Sequence, residues 1–205
     1  MKTAIFFDTE TTGFPLFKER STDPGQPHIV QLAAALVNLD DRSIVSSIDL
    51  ISKPDGWSIP KAASDVHGIT NEIAEECGIP EEQLTKLFMA FCKGRDIAAH
   101  NTPFDNRIVR IALKRFMSDE VAEQYKEHNF YCTMKSSSKI VQCPPTPKMV
   151  KAGRNHFKNP NLGEAYKHFT GDTLEGAHNA MVDVQACIDV YFGIQDYNLN
   201  NGAAA

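Results

Sequence analysis

Short apolar blocks, cut by clusters of acids, glycines and prolines, alternate along the first half of this chain. Residues 3–8 (TAIFFD) form one such block and stop at TETTGFP, which predicts a buried strand ending at its acids. Residues 18–28 (KERSTDPGQPH) are rich in turn formers and read as a loop. Two further apolar runs, 29–39 and 44–51, are parted by Asp40-Asp41-Arg42-Ser43, the pattern of a hairpin. Short helical pieces at 60–63 and 71–77 flank Val66-His67-Gly68-Ile69-Thr70. Pro80 opens a longer helix, where its missing N–H costs nothing; Leu84, Leu87, Phe88 and Phe91 share one face and Gly94 ends it.

Residues 96–100 predict a short buried strand. From 103 to 117, Phe104, Ile108, Ile111, Ala112 and Phe116 recur at helical spacing, while Arg107, Arg110 and Lys114 share another face. A strand at 130–132 and a helix containing Ile140 follow. Residues 142–160 break every periodicity and carry Lys148, Lys151, Arg154 and Lys158 with no acid, so they read as a long basic loop. A short helix at 162–169, a turn at 171–176 and an amphipathic helix at 180–192 close the pattern, and 196–205 is expected to be a tail or cloning scar. Three strands joined through a hairpin, then strands alternating with helices, predict one α/β domain over 1–195 with a mixed sheet. In such sheets catalytic groups gather at the carboxyl ends of strands.

Composition fits that picture: 205 residues, 42% hydrophobic and 23% charged, are enough for one core and too few for two ordinary ones. Asp8 and Glu10 interrupt the early apolar run, so it reads as neither a signal peptide nor a membrane span, and a cytoplasmic location is expected. Cys77, Cys92, Cys132, Cys143 and Cys187 show no C-x-x-C spacing, which argues against a disulfide framework or zinc site and for small buried or bystander side chains. A net charge of −5 argues against a nucleic-acid binder with a broadly basic surface, unless several acids are sequestered on bound cations.

The acids carry the chemistry. Asp8 and Glu10 stand two apart at a strand end, so both project to one side. Two carboxylates held that close repel unless a cation lies between them, and hard oxygen donors suit Mg2+ or Mn2+. Asp105 lies in the first turn of a helix, where the dipole favours an anion. His178 just precedes the last helix and Asp183 lies within its first turns, an arrangement that can set an imidazole above a metal-bound water and an acid below it. Taken singly these are also an exposed turn pair, a helix-capping acid and a structural histidine.

Together they resemble something specific. FDTETTG at 7–13, HNTPFD at 100–105 and HNAMVD at 178–183 are similar to the three exonuclease motifs of the DnaQ-like DEDDh family, and residues 66–70 resemble that family's V-H-G-I-T segment. The resemblance implies an RNase H-like fold, a central mixed five-stranded sheet with helices on both faces, like the epsilon-type exonuclease domain of DNA polymerase III. It implies a metal-dependent 3′→5′ exonuclease with two divalent cations, Mg2+ or Mn2+. Asp8 would bridge both, Glu10 and Asp183 would complete their ligation, Asp105 would hold the second partly through water, and His178 would be the general base.

In the same way Thr11, Thr12 and Gly13 are expected to hold the terminal nucleotide. Val66 and His67 would contact its base or 3′-hydroxyl, and Asn101 and Phe104 would line the pocket. An imidazole suits the base role because its unperturbed pKa of about 6.5 lies near working pH. One departure is visible: where epsilon-type relatives carry an acid a few residues before V-H-G-I, this chain reads Lys61-Ala62-Ala63-Ser64-Asp65. The expected partner is the 3′ end of single-stranded or frayed DNA. RNA, as in ribonuclease T and oligoribonuclease, is the nearest alternative, and an inactive fold used as a binding module is the third. A polymerase or repair partner stays open, although the few residues after the last helix favour a free-standing nuclease.

Overall fold

The computed structural model describes residues 1–202. At its centre lie β1 (Thr3–Thr11), β2 (Ile29–Asn38) and β3 (Ile44–Lys53), paired antiparallel through the expected hairpin. α1 (Lys61–His67) and α2 (Asn71–Cys77) lead to β4 (Ile79–Pro80), which runs parallel to the end of β3. α3 (Glu81–Cys92) precedes β5 (Asp96–Ala99), and α4 (Thr102–Phe116) and α5 (Asp119–Gln124) precede β6 (Phe130–Cys132). α6 (Thr133–Val141), α7 (Pro147–Lys151), α8 (Leu162–Thr170) and α9 (Ala180–Asn200) complete the chain. The mixed sheet has the order β4-β3-β2-β1-β5-β6, with β5 parallel to both β1 and β6.

This is the RNase H-like α/β fold expected, with one strand more than the five foreseen. Ile79 and Pro80 pair with Ser52 and Lys53 at the sheet edge, where a proline's missing donor is tolerated, and α3 starts one residue later than Pro80.

The alternation of β1 explains the layers. Ile5 and Phe7 pack with Leu84 and Phe88 of α3 and Ile108, Val109 and Ala112 of α4. Ala4 and Phe6 face the other way, onto Val184, Cys187, Ile188 and Phe192 of α9. Because helices cover both faces, β2 is buried along its whole length and reads as a continuous apolar run rather than an alternating one. Ala33 and Ala35 of β2 belong to the α9 layer, and their small side chains leave room for that helix. Phe6 meets Tyr191 edge-on with ring centroids 5.1 Å apart.

Several boundaries moved. The helical piece expected at 60–63 runs on to His67, and Gly68 closes it in the left-handed region at φ 76°. The basic stretch 142–160 is not wholly irregular, since α7 lies inside it, capped by the Thr146 hydroxyl. α9 continues past 192 to Asn200, into the stretch expected as a tail; positions 203–205 of that tail lie outside the described residues. No helix among the described residues is long and apolar enough to cross a membrane.

Candidate active site

The carboxyl end of β1 is where the two faces of the sheet meet the same cavity. Asp8 and Glu10 continue the side of Ala4 and Phe6, toward α9, while Thr9 points to the α4 side. Thr9, itself buried, donates its hydroxyl to Asp105 Oδ1 at 2.9 Å, which locks the first turn of α4 to the strand. Asp183 sits in the first turn of α9, and its Oδ2 accepts the backbone N–H of His178 at 3.0 Å. Asn179 caps α9 by accepting from the N–H groups of Met181 and Val182. Gln31, opposite Glu10 in the β1–β2 register, accepts the Ala180 N–H at 3.2 Å and donates to Asp49 at 2.7 Å. A single buried amide thus ties the start of α9 to the sheet.

All four acids foreseen in the sequence therefore line one cavity of about 460 Å³, with His178 at its rim. His178 is exposed and adopts φ 69°, a left-handed turn that costs a non-glycine residue about 1 kcal/mol or more. The Glu10 and Asp183 carboxylates and the His178 ring offer ligand atoms all within 4.8 Å of one another. Asp8 and Asp105 lie beyond that tight trio yet close enough to act on the others electrostatically.

The charges show what the cluster lacks. Burial and then repulsion from Asp183 and Asp105 push the Glu10 carboxyl up to about 8. Burial pushes Asp105 up to about 7 against the opposing Thr9 hydrogen bond. Asp8 is raised well above the carboxylate range by burial, then by Asp105, Asp183 and Glu10. Asp183 is raised by burial, although the His178 N–H pulls the other way. Oδ1 of Asp183 is buried with no hydrogen-bond partner. No lysine or arginine lines the cavity among the described residues. Four carboxylates and one orphaned oxygen, with no cationic side chain, are the donor set of a site for hard divalent cations.

The remaining walls hold every substrate-contact residue the sequence pointed to. Thr11, Thr12 and Gly13 form one side, Val66 and His67 of α1 another, and Asn101 and Phe104 a third. The Thr11 hydroxyl donates to the Gly13 carbonyl at 2.8 Å. Thr12 and His28 clasp each other, the Thr12 N–H bonding the His28 carbonyl at 3.1 Å and the His28 N–H the Thr12 hydroxyl at 3.0 Å. Nδ1 of His67 accepts from the Ile69 N–H at 3.1 Å, so its hydrogen sits on Nε2, which is buried beside the Thr11 backbone. Burial, then the neighbouring His178, lower the pKa of that ring.

Some residues here were not singled out beforehand. Phe14, 82% exposed, continues the turn and meets Phe104 edge-on, centroids 6.0 Å apart. His100 lines the cavity with its ring bound to the Thr133 hydroxyl at 2.9 Å and the Pro160 carbonyl at 3.2 Å, and burial pushes its pKa down to about 4. Pro60, Ala62 and Ala63 make an apolar wall where epsilon-type relatives would place an acid; Asp65 instead pairs with Lys61 at 2.6 Å. Thr9 and Gln31 act through strand register, which leaves no mark in residue type. A large aromatic beside the glycine of an exposed turn was the one available signal, at Phe14.

Comparison with known proteins agrees with this geometry. The RNase_T family model, described as exonuclease, matches residues 5–191. The PolC-type DNA polymerase III of Thermotoga petrophila is 33% identical over 115 residues, 56% of this chain and 8% of that protein. The PolC-type enzyme of Streptococcus thermophilus is 24% identical over 187 residues, 90% of this chain and 10% of that one. E. coli exonuclease I in complex with a dT13 oligonucleotide superposes with TM-score 0.75 at 19% identity, covering 98% of this chain and 43% of that one. Exonuclease I of Methylocaldum szegediense gives 0.69 at 21% identity, covering 97% and 42%. The chain spans about a tenth of the length of these polymerases and under half that of exonuclease I. The match over nearly its whole length, with the DEDDh residues gathered in one cavity, makes this chain a member of the DnaQ-like exonuclease family.

Proposed function

We propose that the protein removes nucleotides one at a time from the 3′ ends of single-stranded or frayed DNA, releasing nucleoside 5′-monophosphates. The observation that carries this reading is the convergence of Asp8, Glu10, Asp105, Asp183 and His178 on one cavity whose other walls are a hydroxyl-rich turn and apolar side chains. The four acids would hold two divalent cations, Mg2+ or Mn2+. When bound, such cations offset the carboxylate charge, polarise the phosphate and acidify water.

The chain's own groups account for the rest. His178, at the rim and free of an ion pair among the described residues, accepts the proton of the attacking water as its oxygen bonds to phosphorus. The bond to the 3′-oxygen of the penultimate nucleotide breaks on the opposite side of phosphorus, and that oxygen takes up a proton from solvent water to become the new 3′-hydroxyl. Thr11, Thr12 and Gly13 hold the terminal nucleotide. The Nε2–H of His67, in the cavity wall beside the Thr11 backbone, donates to its 3′-hydroxyl. Val66, Asn101 and Phe104 pack on the base.

DNA is favoured because a similar fold is known in complex with dT13, and likeness to PolC-type polymerases suggests a replication setting. A cytoplasmic location is part of this proposal. The test is a 5′-labelled dT20 incubated with Mg2+ or Mn2+. A ladder of products shortened from the 3′ end, abolished by EDTA and reduced by orders of magnitude in Asp8→Asn and His178→Ala, is the expected result. Internal cleavage, or no shortening with either metal, would overturn the reading, and faster loss of the matching RNA would move the substrate to RNA.

A further inference from the structure

The cavity has no cation of its own among the described side chains that line it, yet a nucleic-acid strand must be held while its end is cut. We infer that the loop between Cys143 and Lys158 is the track that binds the single strand upstream of that end. The inference rests on the exonuclease reading and extends it to a surface outside the catalytic cavity.

The loop is built rather than loose. Its ends are clasped by the Lys158 N–H on the Cys143 carbonyl at 3.0 Å, and its tip by the Arg154 N–H on the Met149 carbonyl at 2.9 Å. Gly153 makes the turn between them at φ 72°. Lys158 ion-pairs with Glu164 at the base and so serves the loop's own structure. Lys148, Lys151 and Arg154 do not: all three are exposed, and none has an acid within 4.0 Å among the described residues. Lys148 and Lys151 stand three apart on α7, on one helix face. Phe157, in the sequence between Arg154 and Pro160, is 46% exposed. Unpaired cations and an exposed aromatic on one loop are what phosphates and unstacked bases require of a protein surface.

Position connects this surface to the chemistry. The Pro160 carbonyl bonds the ring of His100, and that ring lines the cavity. The loop is therefore rooted on the cavity wall, and Arg154, six residues back, lies at most about 20 Å from that root. A strand whose 3′ end fills the cavity needs only a few nucleotides to reach the loop.

Two readouts test this, one of them independent of hydrolysis. Fluorescence anisotropy in EDTA would measure binding of labelled dT3 and dT20 to the wild type and to a K148A/K151A/R154A variant. The variant's exposed positions leave the core untouched, and circular dichroism would confirm its fold. The expected result is dT20 binding weakened roughly ten-fold or more, dT3 binding unchanged, and a log–log salt slope for dT20 shallower by about 2, the value for three lost phosphate contacts on a single strand. With Mg2+ or Mn2+, KM for dT20 should rise while kcat holds. Phe157→Ala should weaken dT20 without changing the salt slope. An unchanged salt slope and dT20 affinity in the triple variant would overturn the inference, as would equal weakening of dT3 and dT20. If wild type binds dT20 through the loop but cuts nothing with either metal, the exonuclease reading falls and the binding surface stands.

Discussion

Burial, and then repulsion from Asp183 and Asp105, pushes Glu10 up to about 8, and burial pushes Asp105 up to about 7, which makes the protein in EDTA sensitive to pH in a definite direction. In the unfolded chain both groups ionise in the ordinary carboxylate range. Between that range and about pH 8 the folded protein therefore holds protons that the unfolded chain has released, and stability falls as pH rises through the folded pKa values. In EDTA, the melting temperature should drop between about pH 5 and about pH 9 as these groups are forced to ionise together. Saturating Mn2+ should remove most of the drop, and Glu10→Gln should shrink it without metal. A melting temperature that rises across that interval in EDTA would contradict the account. The acids themselves were legible in the sequence because their residue types and motif order carry the signal. Thr9 and Gln31 were not, because a threonine and a glutamine inside strands become site residues only once the register sets them against Asp105 and the start of α9.

Helix α3 begins with a residue that reaches across the fold to the head of β2, beside the Thr11–Gly13 turn. Glu81, 4% exposed, accepts the Ile29 N–H at 2.9 Å and lies 2.7 Å from His28 Nδ1, and Arg115 of α4 comes within 3.5 Å of it. His28 is also stacked on Trp57, ring centroids 4.5 Å apart, and its backbone clasps Thr12. The start of α3, the end of α4 and the head of β2 thus share one buried polar knot that fixes the Thr11–Gly13 turn. Glu81→Ala strands both a backbone donor and the Arg115 charge, so it should cost about 3 kcal/mol in urea denaturation. The loosened turn should raise KM for oligonucleotides more than it lowers kcat. A full-stability variant, or a loss confined to kcat, would show that the knot does not hold the turn. The sequence placed the start of α3 within one residue but did not single out Glu81, since contacts between distant segments leave no periodicity. The same limit explains β4, a two-residue strand that exists only because Ser52 and Lys53 lie beside it.

The acidic cluster is assembled by packing across the whole sheet, since Asp8 and Glu10 belong to β1 while Asp183 and His178 come with α9. Besides the Gln31 link to Ala180, the α9 layer keeps those two groups at their spacing, through Phe6, Val184, Ile188 and Phe192 over Ala33 and Ala35. Ala35, opposite Phe6 in the register and fully buried, is a place to test this far from the reacting groups. Ala35→Leu forces extra volume under α9, and overpacking of that kind costs about 1–3 kcal/mol and shifts the backbone that bears it. The shift should carry Asp183 and His178 away from Glu10 while the Thr11–Gly13 turn and α1, which pack elsewhere, stay in place. Turnover with Mg2+ or Mn2+ should then fall at least ten-fold while binding of dTMP, measured in EDTA, is unchanged, because a misplacement of about an ångström at reacting groups can cost that much or more. Equal loss of turnover and dTMP binding would mean that the site collapses as one unit, and undiminished turnover would mean that Asp183 and His178 are held by Gln31 and the Asn179 cap rather than by the body of the helix.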